Sequence, residues 1–211
     1  MELPFDVKTA DQAIADVDEH MAQVIAKHGP CAMTIRPVKS PFEALFRSII
    51  FQQLSTQSAT AIYNRVLGLF DNGKPTPESM LVSPDDKLRG AGMSRQKVKY
   101  AKDLALKSTE GTVPLMSELE LLSDQEIIER LTAVHGIGRW TVEMLLMFSM
   151  GRPDVLPSTD LAIRKGFQIV YGHDELPKPK EIDRFGERWR PYRSIASWYL
   201  WRVVDGDNAE W

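Results

Sequence analysis

The sequence predicts an all-α fold, on three observations. Several segments open with a Ser-Pro or capping-box signature and run on into apolar residues at helical spacing. No stretch holds the period-two alternation of a half-buried strand, and no internal repeat or compositionally degenerate segment interrupts the series. With 211 residues, 43% of them hydrophobic, the chain can bury one sizeable core or two small helical ones, and no separate large domain fits. The single cysteine, Cys31, excludes a disulfide framework, and four histidines with one thiol show no zinc-ligand spacing, so an intracellular protein without a bound metal is expected. Met1 to Ala10 contains Glu2, Asp6 and Lys8 and no apolar run; neither a signal peptide nor a membrane span is expected.

Taken in order, residues 11–27 place Ile14, Val17, Met21, Val24 and Ile25 on one stripe, which predicts a single packing helix stopped by Gly29-Pro30. Ser40-Pro41-x-Glu43 is a second start, with a cap, a proline at the first helical position and an acid at the third; Phe42, Leu45, Phe46, Ile49 and Ile50 follow as a buried face. Next, amides and hydroxyls crowd the turn Phe51 to Ala59 before Ala59, Ile62, Val66 and Leu69 resume an apolar face. Residue types alone make Ser55 the cap of that helix and Leu54 a hydrophobic staple. Residues 71–77 read as a turn-rich linker. Ser83-Pro84-x-Asp86 starts a short helix that Gly90-Ala91-Gly92 ends, and Ser94 opens a longer one carrying Val98, Ala101, Leu104 and Ala105.

Ser123 and Glu126 have capping-box spacing, and Ile127, Leu131 and Val134 recur at helical period up to His135-Gly136-Ile137-Gly138. Two glycines one residue apart let the chain reverse at positive φ and leave backbone N–H groups uncovered before Arg139 resumes a helix with Val142, Leu145, Leu146 and Phe148. Such groups can hold a phosphate, although two glycines between helices are also an ordinary tight connection. Leu156-Pro157-Ser158-Thr159-Asp160 then opens a helix whose Ile163, Phe167 and Val170 face a core. Pro177-Lys178-Pro179 marks a loop, and two last helices lie around 182–189 and 192–204. Asp160 by itself reads as an N-cap or as an i,i+4 partner of Arg164.

Leu131-x-x-Val134-His135-Gly136-Ile137-Gly138-Arg139-Trp140-Thr141, followed after the second helix by Leu156 to Asp160, resembles the helix-hairpin-helix and aspartate segment of the base-excision DNA glycosylase superfamily. The resemblance runs from about Ser40 to Val204. It implies two helical lobes with a DNA-binding cleft between them, one of residues 1–39 plus 151–211 and one of 40–150 that contains the hairpin at 124–150. It further implies Asp160 as the catalytic carboxylate. DNA contacts would come from His135, Gly136, Ile137, Gly138, Arg139 and Thr141, and from the loop Gln53-Leu54-Ser55, with Leu54 as a wedge filling the gap left by an extruded base. Gly92-Met93-Ser94-x-x-Lys97-x-x-Tyr100 resembles a recurring element of the superfamily whose role the sequence leaves open.

Within the superfamily, members that attack the sugar through an amine carry a lysine where this chain has Trp140, and the iron-sulfur members need four cysteines. Gly138-Arg139-Trp140-Thr141, with Pro191-Tyr192-Arg193-Ser194 followed by Trp198 and Trp201, resembles instead the alkylation-repair branch, the 3-methyladenine DNA glycosylases, in a compact form without the N-terminal α/β domain of the inducible bacterial members. Trp140, Trp198 and Trp201 would then line a base pocket, where an electron-rich indole attracts a methylated, cationic purine; at least one of the three is expected to be a core aromatic. The resemblance implies a monofunctional glycosylase for 3-methyladenine- and 7-methylguanine-type bases in double-stranded DNA. It also implies no required cofactor, with room for a monovalent cation at residues 133–138, and a cytoplasmic, nucleoid-associated monomer with no membrane partner. A DNA-binding module without catalysis and a glycosylase for oxidised or deaminated bases are the alternatives.

The net charge of −3 argues against non-specific coating of DNA, so phosphate contact would fall to local charge. The candidates are Arg89, Arg95, Lys97, Lys99 and Lys102, then Arg139, then Arg188, Arg190, Arg193 and Arg202. Any such charge run is more often a plain solvated helix face.

Overall fold

The computed structural model describes residues 3–36, 38 and 40–206, and among these the regular structure is helical with no strand. None of the helices among the described residues is long and apolar enough to cross a membrane. Contacts divide the chain into two compact units, residues 1–37 with 143–211 and residues 38–142. The division falls inside one helix of the hairpin, so each unit is built from helices around its own core.

In the first unit the expected single helix over 11–27 is two, α1 (Val7–Val17) and α2 (Glu19–His28). Ile14 and Met21 are fully buried as the stripe requires, yet the chain breaks between them at Asp18, where φ is −149° and ψ 100°. The reason is polar. The Asp18 carboxylate caps α2 through the Met21 N–H at 3.2 Å and also accepts the Tyr171 hydroxyl at 2.6 Å and the Trp189 indole N–H at 2.9 Å. Donors this buried need an acceptor, and an extended residue lets one side chain serve all three. Val17, expected on the stripe, sits at the break and is 49% exposed.

The second unit opens with α3 (Pro41–Phe51), whose Phe42, Leu45, Phe46, Ile49 and Ile50 are buried as predicted, and α4 (Thr56–Leu67), capped by Ser55. α4 ends earlier than its apolar pattern implies. Leu69 therefore lies outside it and is exposed, while Phe70 turns inward. The presumed linker 71–77 leads into α5 (Pro77–Val82), whose cap is a reciprocal pair between Thr76 and Ser79, and α6 (Asp85–Gly90) follows. α7 (Arg95–Thr109) buries Val98, Ala101, Leu104 and Ala105 and packs on α3 and α5. α8 (Met116–Leu119) is a short turn that the sequence reading omitted. α9 (Asp124–Thr132) has the expected capping box, with the Ser123 N–H on the Glu126 carboxylate at 2.8 Å. α10 (Arg139–Phe148) is the second hairpin helix and supplies residues to both units.

The first unit resumes after it with α11 (Leu161–Tyr171), α12 (Pro179–Gly186) with a 3-10 turn at Glu187–Trp189, and α13 (Arg193–Asp205). α13 is buried at every residue from Ser194 to Trp201, a helix enclosed on all sides. α11 crosses it at backbone contact. A Cβ at Gly166 would lie 2.2 Å from the Leu200 carbonyl oxygen, so only glycine permits this approach. Phe167, Tyr171, Phe185 and Trp189 pack in tilted and edge-to-face pairs beside the crossing, with ring centroids 4.4–6.4 Å apart.

Candidate active site and nucleic-acid interface

In the 38–142 unit the loop Gln53-Leu54-Ser55 and the hairpin are held together. The Gln52 side-chain amide donates to the Gly136 carbonyl at 2.7 Å, joining the C-cap of α3 to the hairpin. Gln53 follows in the left-handed region at φ 57°, rare for a residue with a Cβ, and Leu54 beside it is 40% exposed. A solvent-facing leucine on a fixed, strained turn suits a wedge better than a staple. Ser55 spends its hydroxyl on capping α4.

The hairpin differs from its expected geometry at one glycine. Gly136 has φ 84°, whereas Gly138 is not in the positive-φ region; the reversal is made at the first glycine alone. A Cβ at Gly136 would meet the Tyr100 ring at 2.2 Å, while one at Gly138 meets nothing within 4 Å. Gly138 is thus open toward whatever the hairpin binds, and its carbonyl accepts the amides of Thr141 and Val142 as α10 begins. The start of α10 is a helix N-terminus, the positive end of the helix dipole and the kind of end that favours a phosphate. Ile137 and Thr141 are buried and can offer only backbone to a ligand, whereas His135, Arg139 and Trp140 are exposed, Trp140 by 46%.

His135 is also anchored from behind. Its N–H donates to Asp103 at 2.7 Å, and its Nδ1 lies 3.0 Å from the same carboxylate oxygen. Lys107 reaches both Asp103 at 2.8 Å and the Ala133 carbonyl at 2.6 Å. Partial burial works against the charged Asp103, but the hydrogen bonds from Lys107 and His135 prevail and hold its carboxyl below the usual range.

In the unit containing 143–211, Asp160 is the N-cap of α11, and its Oδ1 accepts two donors, the Ile163 N–H at 2.9 Å and the Trp201 indole N–H at 3.2 Å. Arg164, its sequence-level alternative partner, turns instead to the Pro177 carbonyl at 2.9 Å. Trp201 is 2% exposed and packs on Phe148, with ring centroids 5.8 Å apart. Trp198 is 4% exposed, lies edge-on to Tyr199 and carries the Arg202 guanidinium 4.6 Å over its face, the packing of a core aromatic.

The segment leading to Asp160 is stapled to the start of α13. Arg193 makes a two-pronged contact with Asp154 at 2.7 and 3.0 Å, Ser194 accepts the Val155 N–H at 2.9 Å and donates to the Arg152 carbonyl at 2.7 Å, and Ser197 donates to the Val155 carbonyl at 3.3 Å. Arg190 pairs with Glu187 and Asp154. Arg190 and Arg193, candidates for phosphate contact on charge alone, are therefore engaged within the unit. Lys97 and Lys102 are engaged too, on main-chain carbonyls. The sequence reading gave no anchoring role to Gln52, Asp103, Lys107, Asp154, Ser194 and Ser197; Ser194 entered it only as part of the run Pro191-Tyr192-Arg193-Ser194.

A hairpin exposed at Gly138 and an aspartate fixed at the head of the following helix place the chain among helix-hairpin-helix proteins with a nucleic-acid site. Residues 46–191 match the family model described as HhH-GPD superfamily base excision DNA repair protein, and the chain belongs to that family. It is 41% identical over 166 residues to DNA-3-methyladenine glycosylase 1 of Schizosaccharomyces pombe, covering 78% of this chain and 73% of that protein. The fold is similar to that of S. pombe 3-methyladenine DNA glycosylase (Mag1) in complex with abasic DNA, with TM-score 0.78 and 35% identity over 96% of this chain and 100% of that one. It is likewise similar to a DNA-3-methyladenine glycosidase from Bacillus halodurans, with TM-score 0.83 and 34% identity over 93% and 89% of the two chains.

Proposed function

We propose that the chain is a monofunctional DNA glycosylase that hydrolyses the N-glycosidic bond of alkylated purines, of the 3-methyladenine and 7-methylguanine type, in base excision repair. The observation that carries this is Asp160, a carboxylate fixed at a helix N-terminus by two N–H donors on one oxygen, within a chain whose relatives are named for this reaction. Methylation at a ring nitrogen makes the purine cationic, so the C1′–N bond breaks with the electron pair going to the base, which departs neutral and needs no general acid. The sugar is left as an oxocarbenium ion. An anion beside it lowers that barrier, water adds at C1′, and the water's surplus proton passes to the carboxylate or to solvent.

Trp140 takes the place where strand-cleaving members carry their amine, so this reading includes no covalent imine and leaves an intact abasic strand. It also includes no required cofactor and a single chain acting on DNA in the cytoplasm. The test is release of methylated bases from randomly methylated DNA by the parent and by Asp160→Asn. The expected result is release by the parent and a loss of about a thousandfold or more in the variant, with binding to an abasic duplex retained, because the charge acts on the transition state more than on the bound ground state. No release by the parent, or variant activity within a few-fold of it, overturns the proposal.

A further inference from the structure

We propose that Lys97 is a positioning residue for entry into duplex DNA, holding the turn that carries Gln53 and Leu54 in a fixed relation to the hairpin. This rests on the glycosylase reading above. The Lys97 ammonium donates to the carbonyls of Ile50 at 2.6 Å and Gln52 at 2.7 Å, the last turn of α3. Those carbonyls lack partners within their helix and sit at its negative end, where a cation is favoured. The next residue is Gln53 in its left-handed conformation, one that persists only where its surroundings enforce it. Lys97 is half-buried rather than part of a solvated face, and burial depresses its pKa.

The rest of the same helix face completes the fixture. Residues 97, 100, 103 and 107 follow at three- and four-residue intervals and so share one side of α7. Tyr100 lies against Gly136, Asp103 holds His135, and Lys107 holds Ala133 at the end of α9. Gln52 closes the circuit directly onto the Gly136 carbonyl. One rigid helix therefore fixes both the loop that enters the duplex and the hairpin that grips its backbone, which assigns a purpose to the element from Gly92 to Tyr100.

Lys97 could instead serve stability alone, and α7 contains its own control. Lys102 performs the same chemistry on α5, donating to the carbonyls of Leu81 at 2.7 Å and Ser83 at 2.5 Å, apart from either DNA loop. The experiment compares Lys97→Met, Lys102→Met, Lys97→Arg and Leu54→Ala. Single-turnover excision of 7-methylguanine is measured from a paired duplex and from the same strand alone, with melting temperature and affinity for an abasic duplex alongside.

Lys97→Met is expected to lower the duplex-to-single-strand rate ratio about tenfold or more, with Lys97→Arg restoring most of it because a guanidinium still reaches two carbonyls. Lys102→Met should lower the melting temperature comparably and leave the ratio alone. An unchanged ratio in Lys97→Met, or an equal shift in both methionine variants, reduces Lys97 to a helix cap and overturns the proposal; a ratio lowered in Leu54→Ala at the same time would retain the wedge. Affinity separates the proposal from the catalytic reading. If the parent released no base at all, about a tenfold weaker hold on the abasic duplex by Lys97→Met but not Lys102→Met would still support positioning, and equal affinities would overturn it.

Discussion

The indole N–H of Trp201 and the main-chain N–H of Ile163 converge on the same oxygen of Asp160, at 3.2 and 2.9 Å. One donor comes from α13 and the other from the first turn of α11, so the carboxylate is fixed against two elements. Trp201→Phe keeps an aromatic ring in the buried slot and removes only one of the donors. A hydrogen bond to a charged group is worth about 1.5–3 kcal/mol, which predicts a fall in kcat of about ten- to a hundredfold with KM little changed. Unchanged kcat would show that Ile163 and the helix terminus suffice to orient the acid.

The hairpin glycines should separate stability from binding. Gly136→Ala forces a Cβ to within 2.2 Å of the Tyr100 ring at a φ of 84°. It should cost about 2–4 kcal/mol, the left-handed strain and the overpacking together, read as a lower midpoint in chemical denaturation. Gly138→Leu meets no protein atom near its Cβ and should barely move that midpoint. It should weaken binding to every duplex by a similar factor, since a blocked phosphate site reads no sequence and no lesion. A loss confined to one lesion would assign Gly138 to the base pocket instead.

Asp103 anchors His135 and Lys107, and its folded carboxyl value lies below the ordinary 3.8. A depressed value stabilises the folded state above the ordinary pKa, and that contribution disappears as pH falls through the lower, folded value. The difference in melting temperature between parent and Asp103→Asn should therefore be flat from about pH 5 to 8 as far as Asp103 is concerned, and should shrink below about pH 4. A difference that instead grew on acidification would mean that the carboxyl is raised in the folded protein.

Much of this was legible in the sequence because the signals were local. The Ser123 and Glu126 box, the apolar periods of α3 and α7, the reversal at Gly136 and the cap at Asp160 each lie within one or two turns of chain. Asp18 was not legible: Ile14 and Met21 stay in phase across an extended residue, and the donors that fix the break, Tyr171 and Trp189, are 153 and 171 residues away. The lysines of α7 looked like a solvated face for the same reason, since the carbonyls bound by Lys97 lie 45 and 47 residues upstream. The tryptophans could be recognised as a set but not sorted. What separates exposed Trp140 from enclosed Trp198 and Trp201 is the packing around α13, which no period within that helix records.

Trp140 is the tryptophan of the three whose ring is substantially exposed, at 46%, one residue into α10 beyond the hairpin. If its indole receives a cationic purine, activity should track the electron density of the ring and not only its apolar area. Replacement by Phe and by Leu tests this, because both are apolar and only Phe keeps a π face. Cation-π attraction of about 0.5–2 kcal/mol predicts excision of 7-methylguanine in the order Trp, Phe, Leu, over a total span of about two- to thirtyfold. Stability should fall by only about 1–2 kcal/mol in either variant, since roughly half of the ring is already in water. Equal activity in the Phe and Leu variants would mean that residue 140 contributes shape alone, and recognition of the charged base would then have to come from elsewhere in the site. Borohydride treatment during turnover completes the test of this position. With an indole in place of an amine, no protein-DNA adduct should be trapped and the abasic strand should stay whole; a trapped complex would show a different lysine attacking the sugar.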